Sequence, residues 1–130
     1  MTASDRAREL VIAAAAAADA KQAVDPVALD VSGTLPLTDV FLLVSGRNER
    51  NVQAIAGEIE DKLHELGVKR LRREGESEGR WMLLDFGDIV VHVFHEEDRL
   101  YYQLERLWRD CPVIPLGLPT PAVAAPPAQS

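Results

Sequence analysis

The chain has 130 residues and a formal net charge of −7. That length makes one domain with a real core. The acidic balance excludes a general nucleic-acid binder, which needs Lys and Arg to neutralise phosphates, and suits a basic protein surface instead.

Cys111 is the single cysteine, so no intramolecular disulfide forms, which fits a reducing compartment. The apolar run Leu10 to Ala18 is too short and too alanine-rich to span a membrane. Asp5, Arg6, Arg8 and Glu9 before it do not make the positive region of a secretory signal. The expectation is a cytoplasmic protein with no membrane contact.

In chain order, the first helix is expected from about Ser4 to Gln22. Asp5 suits the helix dipole, and Leu10, Val11, Ala14, Ala17 and Ala18 form a shallow apolar stripe. Asp25-Pro26 is expected to stop it. Val27 to Val31 reads as a first strand. Asp39 to Ser45 reads as a second, its apolar run Val40 to Val44 marking a central strand buried on both faces. Asn48 is the expected N-cap of a second helix, with Val52, Ile55, Ala56, Ile59, Leu63 and Leu66 on its buried face and Gly67 past its end. Val68 to Arg73 reads as a basic edge strand, and Glu74 to Arg80 as an acidic loop.

Trp81 to His95 has the clearest pattern. Trp81–Phe86 and Ile89–Phe94 are rich in aromatic and β-branched residues, and Gly87-Asp88 between them fits a two-residue hairpin loop. Alternation puts Met82, Leu84, Phe86, Ile89, Val91 and Val93 on one apolar face, read as core. The other face carries Trp81, Leu83, Asp85, His92 and Phe94. It is either covered by another part of the chain or offered to a partner, and these five are the candidate partner-binding residues. Trp81 favours the interface reading, because it starts a strand after a solvated loop and shares its row with Asp85. For His92 a structural hydrogen-bonding role outweighs a contact role.

A last helix is expected to begin at Glu96-Glu97-Asp98, with Leu100, Leu104, Leu107 and Trp108 buried. From Cys111 the composition changes: the final stretch holds six of the eight prolines and no charge. The reading is a domain over residues 1–110 and a Pro/Ala-rich disordered tail over 111–130, unable to form a helix or a ladder strand. Deleting Pro112 to Ser130 is then expected to change little.

Several spaced motifs occur together: Leu29-Asp30-Val31; Thr38-Asp39 leading a buried strand that ends in Ser45-Gly46; Arg50 in the next helical turn; Glu74-Gly75; Trp81 with Asp85-Phe86-Gly87-Asp88; Val91-His92-Val93-Phe94; and Arg99, Tyr102, Leu104-Glu105 and Leu107-Trp108. On these the chain resembles the ribosomal silencing factor family, also called iojap, from about Ser4 to Trp108. Asn48 and Asn51 depart from the family's usual residues, and the Pro-rich tail lies outside its pattern. The resemblance implies an α/β fold, a mixed sheet of about five strands with helices packed on it, like that of nucleotidyltransferases but without their activity. It implies a translational repressor that binds the large ribosomal subunit through large-subunit protein fourteen and blocks small-subunit joining when nutrients are short. Organellar members act in large-subunit assembly.

The rival reading is a metal-dependent nucleotidyltransferase. Such enzymes pair a Gly-Ser turn with an Asp-x-Asp that holds Mg²⁺. Here the order is Ser45-Gly46 and no Asp-x-Asp follows. No cofactor, no metal and no Mg²⁺–nucleotide binding are therefore expected, although Asp39, Asp85 and Asp88 leave a carboxylate cluster open. Asp85-Phe86-Gly87 matches a kinase triplet by chance, since the chain lacks the other kinase segments. His64, His92, His95 and one cysteine do not make a zinc site. A structural Arg50–Asp39 pair near the strand-to-helix turn is expected. Self-association of the mixed face stays open.

Overall fold

The structure, a computed structural model, describes residues 3–75, 80–97 and 111–118. Among them are two helices, α1 (Asp5–Ala20) and α2 (Glu49–Glu65), and five strands: β1 (Val24–Asp30), β2 (Val40–Gly46), β3 (Arg72–Glu74), β4 (Trp81–Asp85) and β5 (Ile89–His95). The strands form one mixed sheet in the order β1-β2-β5-β4-β3. Only β2 and β5 run parallel; the other three pairings are antiparallel. The expected five-stranded α/β sheet with helices packed on it is observed.

The elements form for local reasons. Ser4 caps α1, its hydroxyl accepting from the Ala7 amide at 3.0 Å. Asn48 caps α2, its side chain accepting from the Asn51 amide at 2.7 Å. The Phe86 amide donates to the Ile89 carbonyl at 3.0 Å, closing Gly87-Asp88 as a two-residue loop. Gly87 takes φ 89° at the first loop position, which a type II′ hairpin turn requires.

Alternation along the strands divides the molecule into two layers of contact. Met82, Leu84, Ile89, Val91 and Val93 join Val40, Leu42 and Val44 of β2 on the face covered by α1 and α2. All are inaccessible to solvent. The opposite face carries a smaller cluster of Leu29, Val31, Leu43 and Phe94, with Phe41 and Trp81 against it.

Three boundaries differ from the sequence reading. α1 ends at Ala20, ahead of Asp25-Pro26, and Gln22 turns the chain at φ 63°. β1 then starts at Val24 and takes in Asp25 and Pro26, because a register irregularity between Val24 and Val27 absorbs Asp25 at φ 52°. The basic edge strand is only Arg72–Glu74, leaving Val68 to Leu71 as connection.

The fourth difference is the C-terminal segment. Residues 111–118 are not a free tail. Val113 bridges Leu29 antiparallel, the Asp30 amide donates to the Pro112 carbonyl at 2.8 Å, and the Ile114 amide donates to the Ala28 carbonyl at 2.9 Å. Ile114 is buried in the main core, while Val113 faces outward. Proline density hid this docking. Pro112 and Pro115 flank the bridge, and each falls where the ladder asks for no amide donor from it. Residues 119–130 lie outside the described residues. Of the expected last helix, Glu96 and Glu97 are helical, and Asp98 to Trp108 lie outside the described residues.

Candidate partner-binding face

The five candidate residues lie together on the side of the β4–β5 hairpin away from the helices. Trp81 pairs Phe94 across the ladder, Leu83 pairs His92, and Asp85 pairs Val90. The parity expected from the sequence is therefore the observed one.

Their exposure differs. Trp81, Leu83 and Asp85 on β4 are half-buried, whereas His92 and Phe94 on β5 are 5% and 1% exposed. β5 is the middle strand, flanked by β2 and β4, which helps bury its side chains on both faces. The accessible part of the face is thus the β4 row, and His92 and Phe94 support it from beneath.

The aromatic rings are ordered relative to one another. Trp81, His92 and Phe94 have planes within 9° of parallel and centroids 6.1 Å apart. Phe41 of β2 meets His92 edge-on, with centroids 5.0 Å apart. Trp81 Nε1–H donates to His92 Nδ1 at 3.3 Å. His92 Nε2 is buried and has no hydrogen-bond partner among the described residues. Burial pushes the His92 imidazole down to about 4 from its ordinary value, so the ring is neutral at pH 7. Asp85 Oδ1 accepts from the Gly87 amide at 2.9 Å, and Oδ2 lies 3.9 Å from Arg72 Nη2. Asp85 therefore stabilises the hairpin turn as well as lending charge to the row.

Glu74-Gly75 lies beside this face. Gly75 has φ 80°, and a Cβ there would come within 2.0 Å of the Trp81 carbonyl oxygen. Only glycine lets the chain pass that close to the start of β4.

The expected Arg50–Asp39 pair does not form. Asp39 precedes β2 and Arg50 lies beyond its far end in the first turn of α2, so the whole strand separates them. Asp39 Oδ2 instead accepts from the Ser4 amide at 2.9 Å. Asp30, whose local role sequence reasoning missed, accepts from the Ala3 amide at 2.9 Å, the Ser32 amide at 3.0 Å and the Ser32 hydroxyl at 2.6 Å. Burial alone would raise its carboxyl. The bonds from Ser32 and Ala3 and the nearby Arg8 charge outweigh that and hold it below the ordinary carboxylate value. Together Asp30 and Asp39 place two carboxylates at the start of α1, where the helix dipole favours them. The signal was present: both residues belong to the spaced motifs. Among the described residues no group of three or more His, Cys, Asp or Glu is placed to hold a metal ion. No helix among them is long and apolar enough to cross a membrane.

A family model described as ribosomal silencing factor during starvation matches residues 4–130. The match runs through the Pro-rich segment, where the pattern was expected to stop at Trp108. The chain is 50% identical over 103 residues to the ribosomal silencing factor RsfS of Bacillus subtilis, covering 79% of this chain and 87% of that one. A crystal structure of a Chromobacterium violaceum protein superposes with a TM-score of 0.76 at 34% identity, covering 90% of this chain and 92% of that one. A more distant relative, 29% identical over 83 residues, is the mouse protein named mitochondrial assembly of ribosomal large subunit protein 1; the match covers 62% of this chain and 36% of that one.

Proposed function

The chain belongs to the ribosomal silencing factor family, and on that premise we propose that it is a ribosome-associated translational repressor. It binds the large subunit through large-subunit protein fourteen and sterically prevents small-subunit association, without catalysing a reaction. The observation that carries this is the family match over residues 4–130. The β4 row supplies the surface: an aromatic anchor, Trp81, with Leu83 beside it and the acidic Asp85 at the end. Aromatic residues are enriched in binding hot spots, and an acidic rim favours a basic partner. The protein works in the cytoplasm and uses no cofactor.

A second reading is favoured by the name of the mouse relative, which refers to assembly of the ribosomal large subunit. Under it the same surface engages the large subunit earlier, during assembly. Purified protein added to mature subunits separates the two. A repressor lowers the fraction of joined ribosomes at once, whereas an assembly factor leaves mature subunits free to join.

A further inference from the structure

β3 pairs β4 with Arg72 opposite Asp85, Arg73 opposite Leu84 and Glu74 opposite Leu83. Residues opposite one another in a ladder share a face. Arg73 therefore lies on the helix side, where its Nη1 meets Glu60 Oε1 at 3.0 Å. Arg72 and Glu74 carry the Leu83–Asp85 row on to the outer edge of the sheet. Both side chains are more than half exposed, at 58% and 54%.

Arg72 stands between two carboxylates on this face. Its Nε lies 3.3 Å from Glu74 Oε2, and its Nη2 lies 3.9 Å from Asp85 Oδ2. Neither contact builds the fold. The Leu71 amide donates to the Asp85 carbonyl at 2.7 Å, and the β3–β4 ladder continues from there, so the backbone holds the edge. The Asp85 side chain is oriented by its own turn, since its Oδ1 accepts from the Gly87 amide at 2.9 Å. Both carboxylates would stay on the face with Arg72 gone. Exposed ion pairs of this kind shift an equilibrium by at most about fivefold, so Arg72 is held loosely.

A cation at this position opposes a basic partner. It masks two negative charges and adds a positive one. Resting on the reading of this face as the docking surface for a basic large-subunit protein, we propose that Arg72 is its specificity-determining residue. In the free protein Arg72 occupies Glu74 and Asp85. On docking it swings aside and yields both carboxylates to a lysine or arginine of the partner. The incoming cation is shielded from water beside Leu83 and Trp81, so the carboxylates hold it more strongly than they hold the exposed Arg72. A surface without a cation there meets the Arg72 side chain and gains nothing by displacing it. Discrimination thus comes from a competitor built into the face as well as from the attraction.

The test is a titration of the full chain against isolated large ribosomal subunits at low and high salt, read by co-sedimentation. Arg72→Gln, Arg72→Lys and Glu74→Gln are run beside the wild type. At low salt Arg72→Gln should bind about three- to tenfold tighter, through loss of the competitor and of one like charge, and most of that gain should vanish at high salt. Arg72→Lys keeps the charge and should stay within about twofold of the wild type. Glu74→Gln should bind about three- to fivefold weaker. All three should melt close to the wild type, because the substituted side chains are exposed. Binding by Arg72→Gln that equals or falls below the wild type would overturn the inference and leave the docking surface standing. A gain that survives high salt, or that Arg72→Lys shares, would overturn it too, because charge would not be its cause. A wild type that does not pellet with the large subunit would defeat the docking reading and this inference together.

Discussion

Trp81 donates its indole N–H to Nδ1 of His92 at 3.3 Å, with the two ring planes only 7° apart. The near-parallel planes are compatible with the bond, and Phe94 shares them at 2° from Trp81 without any such bond, so it is the ordered row of rings across the strands that sets the orientation. The bond joins a half-buried ring at the surface to a buried one in the middle strand, and so helps hold the anchor of the proposed interface. Trp81→Phe keeps an aromatic surface and removes the donor, leaving a buried acceptor unsatisfied. A loss of about 1 kcal/mol in folding stability is expected, read by urea unfolding. No loss at all would mean that the bond does not help hold Trp81.

His92 makes stability depend on pH. Its folded value, about 4, lies below the ordinary 6.5 of the unfolded chain. The neutral ring's contribution is therefore fully present above pH 6.5 and is lost as pH falls from there towards 4, because the unfolded state takes up the proton first. From this group alone the protein should be about 2 kcal/mol less stable at pH 5 than at pH 7. Urea unfolding at both values, repeated on His92→Leu, checks it. The same pH difference in the variant would assign the effect to other groups.

The docked C-terminal segment predicts a cost that composition alone does not. Ile114 is 4% exposed and packs in the main core. Ile114→Ala should lose about 2–4 kcal/mol, while Val113→Ala, at 66% exposure, should lose little. Equal midpoints for both variants in urea would return the segment to the status of a tail.

Gly75→Ala puts a methyl group against the Trp81 carbonyl oxygen at a positive φ. The expected loss is about 1–3 kcal/mol or more, with amide shifts concentrated at the start of β4. A fully stable variant with an unchanged spectrum would refute the close approach.

How much of this was legible follows from what each feature depends on. The hairpin was readable because period-two alternation and Gly87-Asp88 are local signals. The cap Asn48 sits beside the helix it starts, whereas Ser4 was read only as the approximate start of α1 and its capping bond emerged with the fold. The parallel β2–β5 pairing has no local signature, so the placement of His95 beside the start of α2 was not foreseen. The Arg50–Asp39 pairing failed for the same reason: they are only eleven positions apart in sequence, but a seven-residue strand of roughly 20 Å separates them in space. The mixed face was identified correctly by parity. Parity does not say what covers a face, so the burial of His92 and Phe94 emerged only with the fold. Proline content suggested a free tail because it measures what a segment cannot donate; the Pro112 carbonyl only had to accept.

The measurement that bears most directly on the proposed function is co-sedimentation of the purified protein with isolated large and small ribosomal subunits, with Asp85→Lys run beside it. The account predicts that the protein pellets with the large subunit and not the small one, and that Asp85→Lys pellets less, since it sets a positive charge against a basic partner. Pelleting with neither subunit, or equally with both, would contradict it.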